Sequence, residues 1–384
     1  MSSFSRVETV ARLEAIVDLA GYGQRDVEES VMTVRHHIGR SGIFCITGFV
    51  AWMVWVLISS STSQYALEFS SPYIVTPVVL VLGTLCGAYL RRSWRRGGLI
   101  LPLVVVSVVT AISIPIYANA SAAVGGLFVA LAGLAMLDLQ DAMKARQRLG
   151  EHNQDSADRY SVLPPAMVLA LTVLAGIYLV IGSQAAIALT LPVAVIIVLG
   201  IWKRHGPPQW VSVVLGFCVA AMAGFAVILL GSRDMWPSWL SAGGSLSSAR
   251  HTLWSDALRL WATEPLFGSG PGSFTPSSEL ASSTPSLAAV HSLILQVGAE
   301  LGAVGVVLLA TLFLGGLLFA ARGSRPVALI AITAWTALAV HSSIDHLEDF
   351  PIVGFMGGVI LGWSGFNAHS SEDKERNDDF FGQK

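Results

Sequence analysis

Arg250 and His291 are the side chains in this sequence best suited to chemistry on a phosphate ester. Arginine forks onto phosphate oxygens without needing a metal ion, and histidine moves protons near neutral pH. Arg250 shares the segment 232–290 with Arg233, Arg259 and His251, and His291 follows that segment directly. Downstream, HSSIDHLEDFP (341–351) gathers His341, Asp345, His346, Glu348 and Asp349. His341 and Asp345 stand four apart, the spacing of one helix face. Three readings of this cluster stay open: orientation of an acceptor, a divalent-ion site, or a polar cap on a helix end.

The stretch PLFGSGPGSF (265–274) places glycine at 268, 270 and 272, a spacing that could let backbone approach a phosphate. A P-loop would continue with GKS or GKT, and a dinucleotide fold would set a strand before the glycines. Neither pattern is present, so the stretch reads as a tight turn, with Pro265 and Pro271 blocking helix. The segment after it, TPSSELASSTPSLAAV (275–290), reads as a loop gating the site.

The elements that must position these residues are set by the solvent. The chain has 384 residues, 53% hydrophobic and only 12% charged, against about 25% charged in an average soluble domain. Its charges fall between apolar runs long enough to cross a hydrocarbon core about 30 Å thick. The runs are continuously apolar rather than alternating, which excludes a β-barrel. They predict an all-α polytopic membrane protein of about ten transmembrane helices: 42–63, 72–90, 98–117, 119–137, 162–181, 185–201, 209–231, 291–320, 326–344 and 351–367.

With the N-terminus inside, every Lys and Arg except Arg233, Arg250 and Arg259 falls on the inner side. The opposite orientation would leave only those three inside, so both termini are expected in the cytoplasm. The domains expected are a cytoplasmic N-terminal segment (1–41), the bundle (42–367) with one large outer loop (232–290) between spans seven and eight, and a disordered cytoplasmic tail (368–384). No cleavable signal peptide is visible in the first 40 residues. Cys45, Cys86 and Cys218 all lie within spans and imply neither a disulfide framework nor a metal cluster. The outer positive charge beside His291 suits an anionic, membrane-borne substrate, the alternative being ordinary solvated loop residues. Glu300, within span eight, is expected to pair structurally with Gln296, one turn earlier, and not to act as the base.

The run RHTLWSDALRLWATEPLFGSGPGSF (250–274), then VHSLILQVGAELGAVG (290–305), resembles the signature region of the O-antigen ligase and polymerase family of bacterial membrane glycosyltransferases. The matching positions include Arg250, Trp254, Pro265, Gly268, Gly270, Gly272 and Phe274, then His291, Gln296, Glu300 and Gly302. The resemblance implies a GT-C-like helical bundle in the bacterial cytoplasmic (inner) membrane with its active site facing outside. It implies transfer of a glycan from an undecaprenyl-diphosphate donor to a glycan, lipid or wall-polymer acceptor, inverting and independent of metal or cofactor. Membrane lipid is the implied surroundings, and nucleic acid is not a partner. Arg250 would hold the diphosphate and His291 would be the general base. Gln184, in VIGSQAAIAL (180–189), stands where the family commonly carries a second arginine, leaving Arg233 or Arg259 to supply that cation. The other substrate-binding positions implied are Gly268, Gly270, His341 and Asp345. Ligase and polymerase share these motifs. A transporter of lipid-linked glycan and a non-catalytic assembly partner are the alternatives from other classes.

Overall fold

The computed structural model describes residues 24–65, 67–95, 117–150, 163–203, 207–236 and 248–366. Chain contacts divide it into two compact units. One comprises Met1–Phe44 with Ala368–Lys384, of which 24–44 are described, as helix. The other, Cys45–Asn367, holds every residue discussed below. Among the described residues there is no strand.

The helices are α1 (Gln24–Thr62), α2 (Pro72–Arg95), α3 (Ala118–Gly150), α4 (Leu163–Val180), α5 (Gln184–Lys203), α6 (Gln209–Gly231) and α7 (Ser248–Thr263), then the short α8 (Phe274–Ser277) and α9 (Glu279–Ser283), and α10 (Leu293–Ala320), α11 (Arg325–Ile344) and α12 (Pro351–Gly365). Six of them (α1, α2, α3, α6, α10 and α11) contain apolar stretches of 20 to 28 residues, long enough to cross a membrane. α4, α5 and α12 contain shorter apolar helices. Nine of the ten expected spans thus coincide with apolar helices. The tenth, 98–117, lies outside the described residues except for Tyr117.

α3 is the centre of the bundle, with 83% of its apolar stretch buried. It is rich in Ala and Gly, and small residues let helix backbones approach where lipid removes the hydrophobic drive for association. The tightest crossing joins α2 and α12. A Cβ on Gly83 or Gly87 would sit 2.0 or 2.1 Å from the carbonyl oxygens of Phe355 or Val359. A Cβ on Gly358 or Gly362 would meet the carbonyls of Leu80 or Thr84 in the same way. Glycines four apart on both helices therefore fix this crossing by close approach. The outward sides carry exposed Leu174, Leu215, Met222 and Phe225, the surface a protein presents to lipid.

One end of the bundle is tied by a buried ion pair. Arg91 grips Asp138 through Nε to Oδ2 at 2.8 Å and Nη2 to Oδ1 at 2.9 Å. Its Nη1 donates to the Trp363 carbonyl, and the Trp363 indole donates to Asp138 Oδ2. The ends of α2 and α12 are thereby joined to α3.

Candidate functional site

The loop after α7 is built into the bundle. α7 stops before Pro265, as the residue preceding a proline is pushed out of the helical region. α10 breaks at Gly302, which takes φ 68° and ψ −170°, a conformation open to glycine. The break frees the carbonyls of Ala299 and Glu300, which accept from Ser269 N at 3.0 Å and Gly270 N at 2.8 Å. On the other side of the break, Ala303 N and Val304 N donate to the carbonyls of Pro265 and Leu266. Gly268 also has positive φ, and a Cβ there would lie 2.4 Å from Gly302 N. PLFGSGPGSF is therefore a plug in a broken helix, with the Gly268 and Gly270 N–H groups spent on protein carbonyls.

Glu300 locks the plug. Its Oε2 accepts from Tyr73 OH at 2.8 Å and Gly272 N at 2.9 Å, and its Oε1 accepts from Phe274 N at 3.2 Å. The expected partner Gln296 is not among these: its Oε1 accepts instead from Val290 N at 3.2 Å, reaching back over the chain entering α10. One turn of helical spacing would allow that pair, but the loop's backbone donors and Tyr73 satisfy the carboxylate. Glu300 is structural, as expected, through different partners. The segment 275–290, read as a gate, folds as α8, α9 and a 3-10 turn at Pro285–Leu287. Ser278 caps α9 and also donates through Oγ to Asp256 of α7 at 2.6 Å.

At the end of the bundle away from Arg91, five side chains meet at Asp345. α11 ends at Ile344 and Asp345 is extended, at φ −152° and ψ 168°. This removes the i, i+4 helical pairing expected with His341. Asp345 Oδ1 accepts instead from Tyr117 OH at 2.7 Å and lies 3.2 Å from His291 Nδ1 and 2.9 Å from His346 Nδ1. Its Oδ2 accepts from Asn119 Nδ2 and from Arg250 Nη2, the latter at 3.4 Å. Tyr117 stacks on Phe350 and tilts against His346, and the His291 and His346 rings meet edge to face at 4.1 Å. Asp345 is 1% exposed and His291 6%.

Burial alone would raise the Asp345 pKa, but hydrogen bonds from His291, His346 and Tyr117 and the charge of Arg250 hold it well below the usual carboxylate range. The Tyr117 phenol donates to the same carboxylate. With a proton on Nδ1 facing an ionised Asp345, the basic lone pair of His291 is on Nε2. That nitrogen is buried and has no hydrogen-bond partner. His291 is also held at φ 56°, unusual for a residue with a side chain, and its carbonyl accepts from the Trp254 indole at 3.3 Å. Strain secured by a buried tryptophan fixes where the imidazole points. The arrangement is that of a base oriented by a carboxylate, beside an arginine.

His291, Asp345 and His346 also offer ligand atoms within 4.8 Å of one another, a spacing that could hold a metal ion. Both imidazole Nδ1 atoms, however, already face the one oxygen that accepts from Tyr117.

Of the residues singled out by sequence, Arg250, His291, Asp345 and His346 come together. His341 is buried one turn before Asp345 with its Nε2 unpartnered, and lines a small void with Thr190 of α5. Gln184 is the exposed first residue of α5, after Ser183, whose Oγ accepts from Ala186 N. Arg233 is exposed, and its carbonyl contacts His251 Nε2. Arg259 pairs with Asp256 on α7, with its side chain 77% exposed. Tyr117 and Asn119 escape the sequence reading. They are uncharged and lie at a span boundary 226 or more residues from Asp345, and only the fold joins them.

The fold and site define a polytopic helical membrane protein with an acid–base cluster at one end of its bundle. Residues 169–310 match the family model described as O-antigen ligase, so the likeness carried by the 250–305 motifs holds for this segment. The match takes in Arg250, the glycine plug and His291. No curated protein matches the chain.

Proposed function

We propose that this protein is a membrane glycosyltransferase of the O-antigen ligase or polymerase type. It transfers a glycan from an undecaprenyl-diphosphate donor to an acceptor hydroxyl on the outer face of the cytoplasmic membrane. The observation that carries this reading is the unpartnered His291 Nε2, oriented by Asp345 beside the Arg250 guanidinium. The acceptor hydroxyl gives its proton to Nε2 as its oxygen bonds the anomeric carbon. The bond from that carbon to the diphosphate oxygen breaks, and Arg250 stabilises the charge gathering there. A single displacement inverts the anomeric centre.

The orientation has a structural argument. Asn119, at the Asp345 cluster, and Asp138, at the Arg91 pair, are both on α3. Their separation in sequence corresponds to about 28 Å of helix at ~1.5 Å per residue, close to the thickness of a bilayer core. Arg91 lies in a segment whose arginines belong inside by charge, which supports an outer position for the Asp345 cluster. Both termini are then cytoplasmic, with ten spans once 98–117 is counted. Arg250 is the cation at the cluster, while Gln184 and the exposed Arg233 and Arg259 are left to contact parts of the donor farther out.

The test is the size profile of lipid-linked glycans in cells lacking the protein and in cells carrying His291→Ala. Full-length polymer stranded on the carrier identifies a ligase, and single repeat units identify a polymerase. An unchanged profile contradicts both and favours a non-catalytic assembly partner.

A further inference from the structure

His346 has no role in the chemistry above, yet it shares the carboxylate that orients the base. Four donors converge on Asp345 Oδ1: the Tyr117 hydroxyl at 2.7 Å, the His346 backbone N–H and ring Nδ1, each at 2.9 Å, and His291 Nδ1 at 3.2 Å. A carboxylate oxygen has about two lone-pair sites, so four donors oversubscribe it. A neutral imidazole carries its proton on either nitrogen, and the crowding is relieved when an Nδ1 proton moves to the far side of its ring. That leaves an imidazole lone pair facing a carboxylate lone pair, an arrangement stabilised by a cation between them.

The spacing is that of ligands around one small cation. Zinc bonds imidazole nitrogen and carboxylate oxygen at about 2.0–2.2 Å, so two ligands of a tetrahedral ion lie about 3.3 Å apart. The Nδ1 atoms of His291 and His346 stand 3.2 and 2.9 Å from Asp345 Oδ1, and all three atoms lie within 4.8 Å of one another. The frame is also stiff. His291 is fixed by its positive φ and by Trp254 on its carbonyl, and the His346 ring is flanked by Tyr117 at 4.7 Å and Phe350 at 5.6 Å. Arg250 stands on the other oxygen, Oδ2, and leaves Oδ1 to an ion. Two imidazoles and one carboxylate select zinc or a neighbouring transition ion over magnesium and calcium. The open side of the cluster is that of His346, whose side chain is 12% exposed, close in sequence to the exposed Asp349.

We propose that His291 Nδ1, Asp345 Oδ1 and His346 Nδ1 form an inhibitory zinc site, in which the ion disables the general base without touching substrate. The effect on rate rests on the glycosyltransferase reading. Zinc takes the Nδ1 lone pair of each imidazole, so each neutral ring keeps its one proton on Nε2. No proton is gained or lost. His291 Nε2 then donates instead of accepting, and the acceptor hydroxyl has no base to receive its proton. Water completes the coordination. In the transfer reaction Arg250 supplies the cation, so chelation should release zinc-inhibited protein rather than silence it.

The experiment uses the full-length protein in lipid nanodiscs, stripped with a chelator, and follows metal binding and glycan transfer together. One zinc should bind per chain and raise the melting temperature, and Co²⁺ in its place should give visible absorption bands. Zinc should abolish transfer with the midpoint of its binding, a chelator should restore transfer, and Mg²⁺ should neither bind nor inhibit. His346→Phe keeps a ring between Tyr117 and Phe350 but has no Nδ1. It should raise the zinc midpoint by at least about tenfold, with loss of the Co²⁺ bands and of the shift in melting temperature. His346→Gln is a second variant with the same expectation, should the phenylalanine disturb folding.

Zinc held equally tightly by wild type and both variants, or not held by wild type, would overturn the site and leave the glycosyltransferase reading standing. Zinc bound in a His346-dependent way with transfer undiminished would overturn the inhibition and remove His291 as the base. Absence of transfer by stripped wild type, with Co²⁺ bands that still depend on His346, would uphold the metal site and remove the glycosyltransferase reading.

Discussion

Two buried clusters, each centred on an aspartate, an arginine and aromatic side chains, sit towards opposite ends of the apolar stretch of α3, Ala118–Asp141. In the Arg91–Asp138 cluster the guanidinium grips the carboxylate with two short bonds, Trp363 closes the remaining contacts, and the pair joins three helices. In the Arg250–Asp345 cluster the arginine stands off at 3.4 Å, the carboxylate is shared with two histidines, a tyrosine and an asparagine, and a buried imidazole nitrogen is left bare. The first is satisfied and closed. The second is divided among many donors and leaves one imidazole nitrogen without a partner. A cluster that completes its own hydrogen bonds stabilises a fold, whereas one that leaves a buried imidazole nitrogen without a partner is arranged for another molecule.

The largest expected difference between the clusters is in turnover. Arg250→Ala should lower glycan transfer on the order of a thousandfold, by removing a preorganised donor from the leaving oxygen. Arg91→Ala should leave the rate per folded molecule near wild type while lowering yield and melting temperature. Both are read from transfer assays normalised to the folded fraction.

Next come the two aspartates. Asp345→Asn should cost at least a hundredfold in rate, because an amide no longer selects the His291 tautomer with Nε2 free. Asp138→Asn should instead cost about 3–5 kcal/mol of stability, leaving Arg91 buried and poorly paired. Equal effects of the two substitutions on rate would erase the contrast.

Gly302→Ala should destabilise by about 1–3 kcal/mol through its positive φ. Its Cβ would also lie 2.3 Å from the Leu266 carbonyl oxygen, so the plug must move. Limited proteolysis between Pro265 and Phe274 should then quicken relative to wild type.

The smallest effect is in acid. The folded-state pKa of Asp345 lies below the ordinary 3.8, so its contribution to stability is complete above that value and is lost as pH falls through the folded-state pKa. The gap in melting temperature between wild type and Asp345→Asn should therefore narrow as pH drops from about 5 to about 2.

Much of this contrast is legible in the sequence. The span 209–231 coincides with α6 because an uninterrupted apolar run bounded by Pro208 and Ser232 has no other stable form in lipid. Arg250 and His291 stand out by type and by the scarcity of positive charge on one side. Asp345 is visible as a candidate, but the His341 pairing suggested by spacing fails because α11 stops one residue short. The break at Gly302 is hidden, since one glycine within GAELGAVG differs from its neighbours only once Pro265 and Leu266 pack against it. Tyr117 and Asn119 are hidden for the same reason. Their chemistry is ordinary until α3 carries them to Asp345.

The most direct test of the account is glycan transfer by His291→Ala in proteoliposomes, measured with and without added imidazole. The account predicts a loss on the order of a thousandfold, with a part restored by imidazole occupying the space of the missing ring. Transfer at the wild-type rate without imidazole would show that His291 is not the base and that its bare Nε2 serves something else.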